Sequence, residues 1–114
     1  MMYQRLHDKH LSDLRSMVSE DRLSTGESNL DLHARDQSRH PACRPEVVIW
    51  PNDRGEVSRL LAYANRHRIP VTGWGMGTSL EGNPIPACGG IILNFNRMNR
   101  ILEIRDSAFQ ADVE

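Results

Sequence analysis

A chain of 114 residues, 39% hydrophobic and 25% charged, holds one folded domain with a modest core and is neither fibrous nor disordered. Its formal net charge of -1, with basic residues interleaved among acidic ones, excludes broad attraction to nucleic acid or to an acidic membrane, so no nucleic-acid partner is expected. Cys43 and Cys88 lie far apart without CxxC spacing, which excludes a zinc ribbon or a disulfide scaffold; both are read as reduced and structural.

In residues 1–22, Leu6, Leu11, Leu14 and Val18 recur at helical spacing with charges between them, which predicts an amphipathic helix from Tyr3 to about Arg22. No apolar run there reads as a signal peptide, and "VVIW" and "IIL" are far too short to span a bilayer, so the expected location is cytoplasmic. Residues 23–45 are polar, lack a clear period and carry turn residues at both ends, which predicts an extended or looping connection. From residue 46 to 114 the pattern becomes organised. "EVVIW" is a β-rich run closed by Pro51 and suits a buried strand. Asp53 as N-cap with Glu56 three residues later has the form of a capping box, and Val57, Leu60, Leu61 and Ala64 continue a helix from it. "IPVTG" is a second strand, so strand, helix and strand form a βαβ unit whose two strands are expected to be parallel neighbours. "GGIILNF" reads as a third strand, and "ILEIRD" with "AFQADVE" as a hairpin around Asp106 and Ser107. The fold class is therefore α+β: an N-terminal helix, then a βαβ unit with further strands.

The second strand runs into "VTGWGMGTSLEGN", where Gly73, Gly75, Gly77 and Gly82 surround Thr78 and Ser79. Glycines this dense carry an entropic penalty, so some backbone conformation or close approach requires them. A Rossmann fingerprint needs a helix starting within the glycines, which Gly82, Pro84 and Pro86 forbid. A P-loop needs a lysine, and "GMGTSLEG" has none. A nest remains, in which successive backbone N–H groups bind an anion and the Thr78 and Ser79 hydroxyls add donors. The bland alternative, a glycine-rich turn with no ligand, shares the same spacing.

"PEVVIWP", the helix after it, "IPVTGWGMGTSLEG", "GGIILNFNRMNRILEI" and the earlier "DLHARDQS" occur in the order seen at the start of FAD-linked oxidases of the vanillyl-alcohol oxidase type, which the chain resembles from Ser24 to Glu114. Trp74 before Gly75, and Leu80-Glu81-Gly82, are most similar to the D-lactate dehydrogenase and glycolate oxidase branch. The resemblance implies the first half of a PCMH-type FAD-binding domain. It implies that Gly73, Trp74, Gly75, Met76, Gly77, Thr78 and Ser79 wrap the FAD diphosphate, that Gly82 and Asn83 continue along the cofactor, and that Pro51 lies near the adenosine portion. Many relatives carry an arginine or a second glycine in place of Gly73 and Trp74, so this loop relies on its backbone and on Trp74 as an aromatic wall. Covalent relatives use a histidine near the position of Met76, so FAD is expected to be bound non-covalently. The substrate implied is a small D-2-hydroxy acid such as D-lactate or glycolate. Family members are several times longer; their catalytic base, substrate-carboxylate groups and metal-binding histidines belong to later parts, so no catalytic or metal residue is assigned. The implied whole enzyme is cytoplasmic or peripheral to the inner face of the membrane.

Other candidates carry plainer readings. His7 and His10, three apart on the first helix, lack a third ligand and read as surface residues. His33, Asp36 and His40 read as hydrogen-bonding residues that fix the connection onto the domain. Arg66, His67 and Arg68 read as a solvated helix end favoured by the macrodipole. Asp31, Asp36, Glu81 and Glu103 offer no general acid–base spacing, and Glu81 beside a diphosphate is expected to point away or to bond to loop amides. Two functions of different class are expected: the FAD-binding portion of a longer oxidoreductase, inactive by itself, or a non-catalytic remnant that holds no flavin. In the second, strands from Gly90 onward would lose their usual neighbours and leave edges open for self-association.

Overall fold

The computed structural model describes residues 2–114. Leu11 and Leu14 lie on α1 (Asp8–Met17), which is shorter at both ends than the predicted helix because the chain is extended at His7 and again at Val18. A 3-10 turn over Glu20–Arg22 leads into β1 (Leu23–Ser24), and α2 (Glu27–Leu32) follows within the segment expected to loop. Then come β2 (Val47–Ile49), α3 (Arg54–His67), β3 (Val71–Trp74), β4 (Ile91–Asn94) and the hairpin of β5 (Ile101–Arg105) and β6 (Gln110–Val113).

Four strands form one sheet in the order β1-β2-β4-β3. β1 is antiparallel to β2; β2, β4 and β3 run parallel. The two strands of the βαβ unit are thus parallel but not neighbours, since β4 lies between them. The reason is burial: every residue of β2 and β4 is buried, as central parallel strands require, whereas β3 is only partly buried and takes the edge. Alternation along β2 divides the core in two. Val47 and Ile49 face the helices, where Leu14 and Val18 meet Leu60, Tyr63, Ala64 and Ile69. Val48 faces the other way and packs with Ile92 and Trp74, flanked by Leu30 and Trp50.

Asp53 caps α3 as expected, its Oδ1 accepting the Glu56 amide at 2.8 Å. The Glu56 carboxylate does not complete the capping box. It accepts the Asn52 amide at 2.8 Å and pairs with both terminal nitrogens of the buried Arg22, at 2.5 and 2.7 Å. Arg22 also donates to the Trp50 carbonyl at 3.0 Å, so this ion pair joins the 3-10 turn, the end of β2 and the start of α3. The pairing holds Glu56 below the usual carboxylate range and pushes Arg22 up.

The hairpin β5–β6 forms around Asp106–Ala108, with Phe109 in the left-handed region at φ 52°. It makes its own two-stranded sheet, with Ile101, Leu102, Ile104 and Phe109 exposed. Among the described residues no helix is long and apolar enough to cross a membrane.

Candidate functional site

Because β2, β4 and β3 are parallel, Pro51 and the glycine loop both lie at the carboxyl-terminal edge of the sheet, where open α/β sheets bind ligands. Residues 75–90 contain neither helix nor strand. No hydrogen bond ties the amides of Met76, Gly77 and Thr78 to an acceptor among the described residues. Met76 and Thr78 are exposed, and a Cβ on Gly75 would meet nothing within 4 Å. This half of the loop is thus a row of free donors with open space before it.

Trp74 is not an aromatic wall. It is 7% exposed and lies under the loop, against Val48 and Ile92. A Cβ on Gly77, at φ +70°, would come within 2.2 Å of the Trp74 indole, so the glycine is required both by its conformation and by the ring beneath it. The buried His33 also packs against that indole, with ring centroids 4.7 Å apart. His33 Nδ1 donates to the Asn29 carbonyl at 2.7 Å and Nε2 accepts from Asn94 Nδ2 at 2.9 Å.

The second half of the loop is occupied by the protein itself. Asp36 Oδ2 accepts the Gly82 amide at 2.7 Å, while Oδ1 accepts the Ser38 amide and hydroxyl at 2.9 and 2.5 Å. Burial raises the Asp36 pKa, but these bonds outweigh it and hold the carboxyl below its ordinary range. The Gln37 amide donates to the Ser79 carbonyl at 3.0 Å. Ser79 Oγ donates to Asn83 Oδ1 and accepts the Glu81 amide. Glu81 is exposed, and its carboxylate bonds to no loop amide among the described residues. Of the predicted site residues, Met76, Gly77 and Thr78 thus offer free donors, whereas the Gly82 amide and the Ser79 hydroxyl are already engaged.

His33 and Asp36 do fix the connection onto the domain, as expected, through Asn94 and the Gly82 amide; the His40 side chain makes no hydrogen bond among the described residues and only lays its ring against Gly82. His7 is exposed, as expected of a surface residue, whereas His10 is half-buried: it packs against His67 at 5.1 Å and Tyr63 at 6.3 Å, and its Nδ1 accepts the His7 amide at 3.1 Å. Burial, His67 and His7 lower the His10 pKa. His67 lies tilted against Tyr63, with ring centroids 4.3 Å apart, and is half-buried rather than standing in solvent at the helix end. Tyr63 donates to Asp13 at 2.7 Å, and burial together with that bond pushes its pKa up to about 12. Only a fold that docks α1 on α3 brings these groups together, so no local spacing reveals them. Both cysteines are free thiols, and Cys88 is exposed rather than structural. No group of three His, Cys, Asp or Glu that could hold a metal ion occurs among the described residues. A cavity of about 550 Å³ between the start of α3 and the hairpin is lined by Asp53, Arg54, Met98, Arg100 and Leu102. The free amides lie elsewhere, so donor chemistry and volume point to different places, and the loop is the candidate site on donor chemistry alone.

The FAD binding domain family matches residues 45–114. The chain is 30% identical over 107 residues to a probable mitochondrial D-lactate dehydrogenase of Danio rerio, covering 94% of this chain and 22% of that protein. It is 41% identical over 70 residues to the glycolate oxidase subunit GlcD of Bacillus subtilis, covering 61% and 15%. The chain spans about a fifth of the length of these curated relatives. Among solved structures, alkyldihydroxyacetonephosphate synthase superposes with a TM-score of 0.81 at 17% identity over 97% of this chain and 23% of that one. 4-Ethylphenol oxidase from Gulosibacter chungangensis superposes at 0.74 with 20% identity, over 94% and 22%. The chain belongs to the FAD binding domain family and, within it, to the FAD-linked oxidoreductases related to D-lactate dehydrogenase and glycolate oxidase.

Proposed function

We propose that loop 73–83 grips the diphosphate of FAD and that the whole protein oxidises a D-2-hydroxy acid such as D-lactate or glycolate. The observation that carries the first part is the row of free amides at Met76, Gly77 and Thr78, open to solvent at the carboxyl edge of the parallel strands. Backbone donors bind a diphosphate without a cationic side chain, and Thr78 adds a hydroxyl. Gly75 lets the ligand approach where a side chain would intrude. Pro51, at the same edge, is assigned to the adenosine end. FAD when bound supplies the hydride acceptor; this chain supplies binding and orientation. No His, Cys or Tyr occurs from Gly75 to Asn83, which supports non-covalent attachment. Relatives described as D-lactate dehydrogenase and glycolate oxidase support the substrate class.

Titration of the chain with FAD, followed by quenching of flavin fluorescence, tests the grip; a wild type that takes up none overturns it. Anaerobic bleaching of the flavin band in the natural gene product by D-lactate or glycolate tests the substrate, and inertness to both overturns that assignment. The exposed apolar residues of β5–β6 supply the surface for self-association. Sedimentation is expected to show dimers or larger species that Phe109→Ser reduces.

A further inference from the structure

The clamped half of the loop is held by a residue far away in the chain. Asp36 is 6% exposed, and its two oxygens accept three donors, one of them the Gly82 amide. A second tie, from the Gln37 amide to the Ser79 carbonyl, lies beside it. The His40 ring occupies the space that a Cβ on Gly82 would enter, at 2.7 Å. The segment carrying Asp36 has an anchor of its own on the sheet, because His33 accepts from Asn94 and Leu30 packs beside Val48, while the Asn29 and Cys43 bonds tie the segment to itself. The bond to Gly82 is therefore not the segment's only tie to the domain. Its effect falls on residues 79–83, which have no helix or strand to hold them.

We propose that Asp36 is a positioning residue for the cofactor loop: by holding the Gly82 amide it fixes residues 79–83, and so aims the amides of residues 76–78 at the FAD diphosphate. This rests on the loop's cofactor role proposed above. A charge-assisted bond to a buried carboxylate is among the stronger single contacts a loop can have. It fixes the far end of the donor row before the ligand arrives, so less ordering remains to be done on binding.

The test compares Asp36→Asn, which sets an amide N–H against the Gly82 N–H, with Ser38→Ala, which leaves the Gly82 bond in place. Amide hydrogen exchange and FAD titration are measured on the full chain. Asp36→Asn is expected to accelerate exchange at residues 79–83, with β3 and β4 unchanged, and to weaken FAD binding by about tenfold. Ser38→Ala is expected to change FAD affinity by less than about threefold. Equal losses in the two variants would assign the effect to the turn at residues 36–38 and overturn the proposal. So would faster exchange in Asp36→Asn with unaltered FAD affinity. Should Asp36→Asn fail to fold, the wild type still decides: rapid exchange at Gly82 overturns the clamp. A wild type that protects Gly82 and takes up no FAD leaves the clamp standing and overturns the loop's cofactor role.

Discussion

The two halves of the glycine loop differ in how they are held. Residues 76–78 donate to no acceptor among the described residues, whereas residues 79–83 are tied to Asp36, to Gln37 and to one another. Both halves contain a glycine at positive φ, Gly77 over Trp74 and Gly82 over His40, each with an aromatic ring where its Cβ would be. A dense run of glycines is thus not one device. One half presents donors on a rigid aromatic floor, and the other is the strap that holds them in place.

Four changes break or sharpen this contrast. The largest effect is expected from Gly77→Val, which sets a β-branched side chain against the Trp74 indole at φ +70°. It should abolish FAD uptake in a titration while the far-UV circular dichroism stays near that of the wild type; unchanged affinity would remove the open half from the site. Gly82→Ala should lower stability by about 1–2 kcal/mol, because it combines a left-handed conformation with a contact to the His40 ring. Adding His40→Ala should recover part of that loss in a denaturant titration, and no recovery would show that conformation alone is at fault.

A third effect follows acid. Asp36 has a folded pKa below its unfolded value, so its contribution is complete above about pH 4, the ordinary aspartate range. It disappears as pH falls through the lower folded pKa. Exchange at residues 79–83 should accelerate there, in a region where Ser38 and the Gly82 amide are the groups bonded to the carboxylate. The smallest effect on stability belongs to Gly75→Ala, within about 0.5 kcal/mol, since its Cβ would enter open space. Its FAD affinity should nevertheless fall; affinity and melting temperature moving together would contradict the open half.

Much of the fold was legible from local pattern. The Asp53 cap, the period of α3, the apolar runs of β2 and β4 and the turn of the hairpin all act through residues close in sequence. The order of the strands was not, because it depends on which apolar run is buried most completely, and "IIL" displaced "VTGW" from the position beside β2. α2 escaped notice because six residues with one inward leucine, Leu30, show no period. At the site, the glycines marked the open half. The strap depended on Asp36 meeting Gly82 across 46 residues, which no spacing reveals. Glu56 was legible as part of a capping box, yet its partner Arg22, 34 residues earlier, was not.

Both tryptophans of the chain touch the same imidazole, Trp50 with ring centroids 5.9 Å from His33 and Trp74 at 4.7 Å. Trp74 also lies directly beneath Gly77. The chain therefore carries its own optical probe: excitation of these indoles, one of them the floor of the donor row, responds to whatever settles on the loop. A yellow chromophore held there overlaps tryptophan emission and draws off its light.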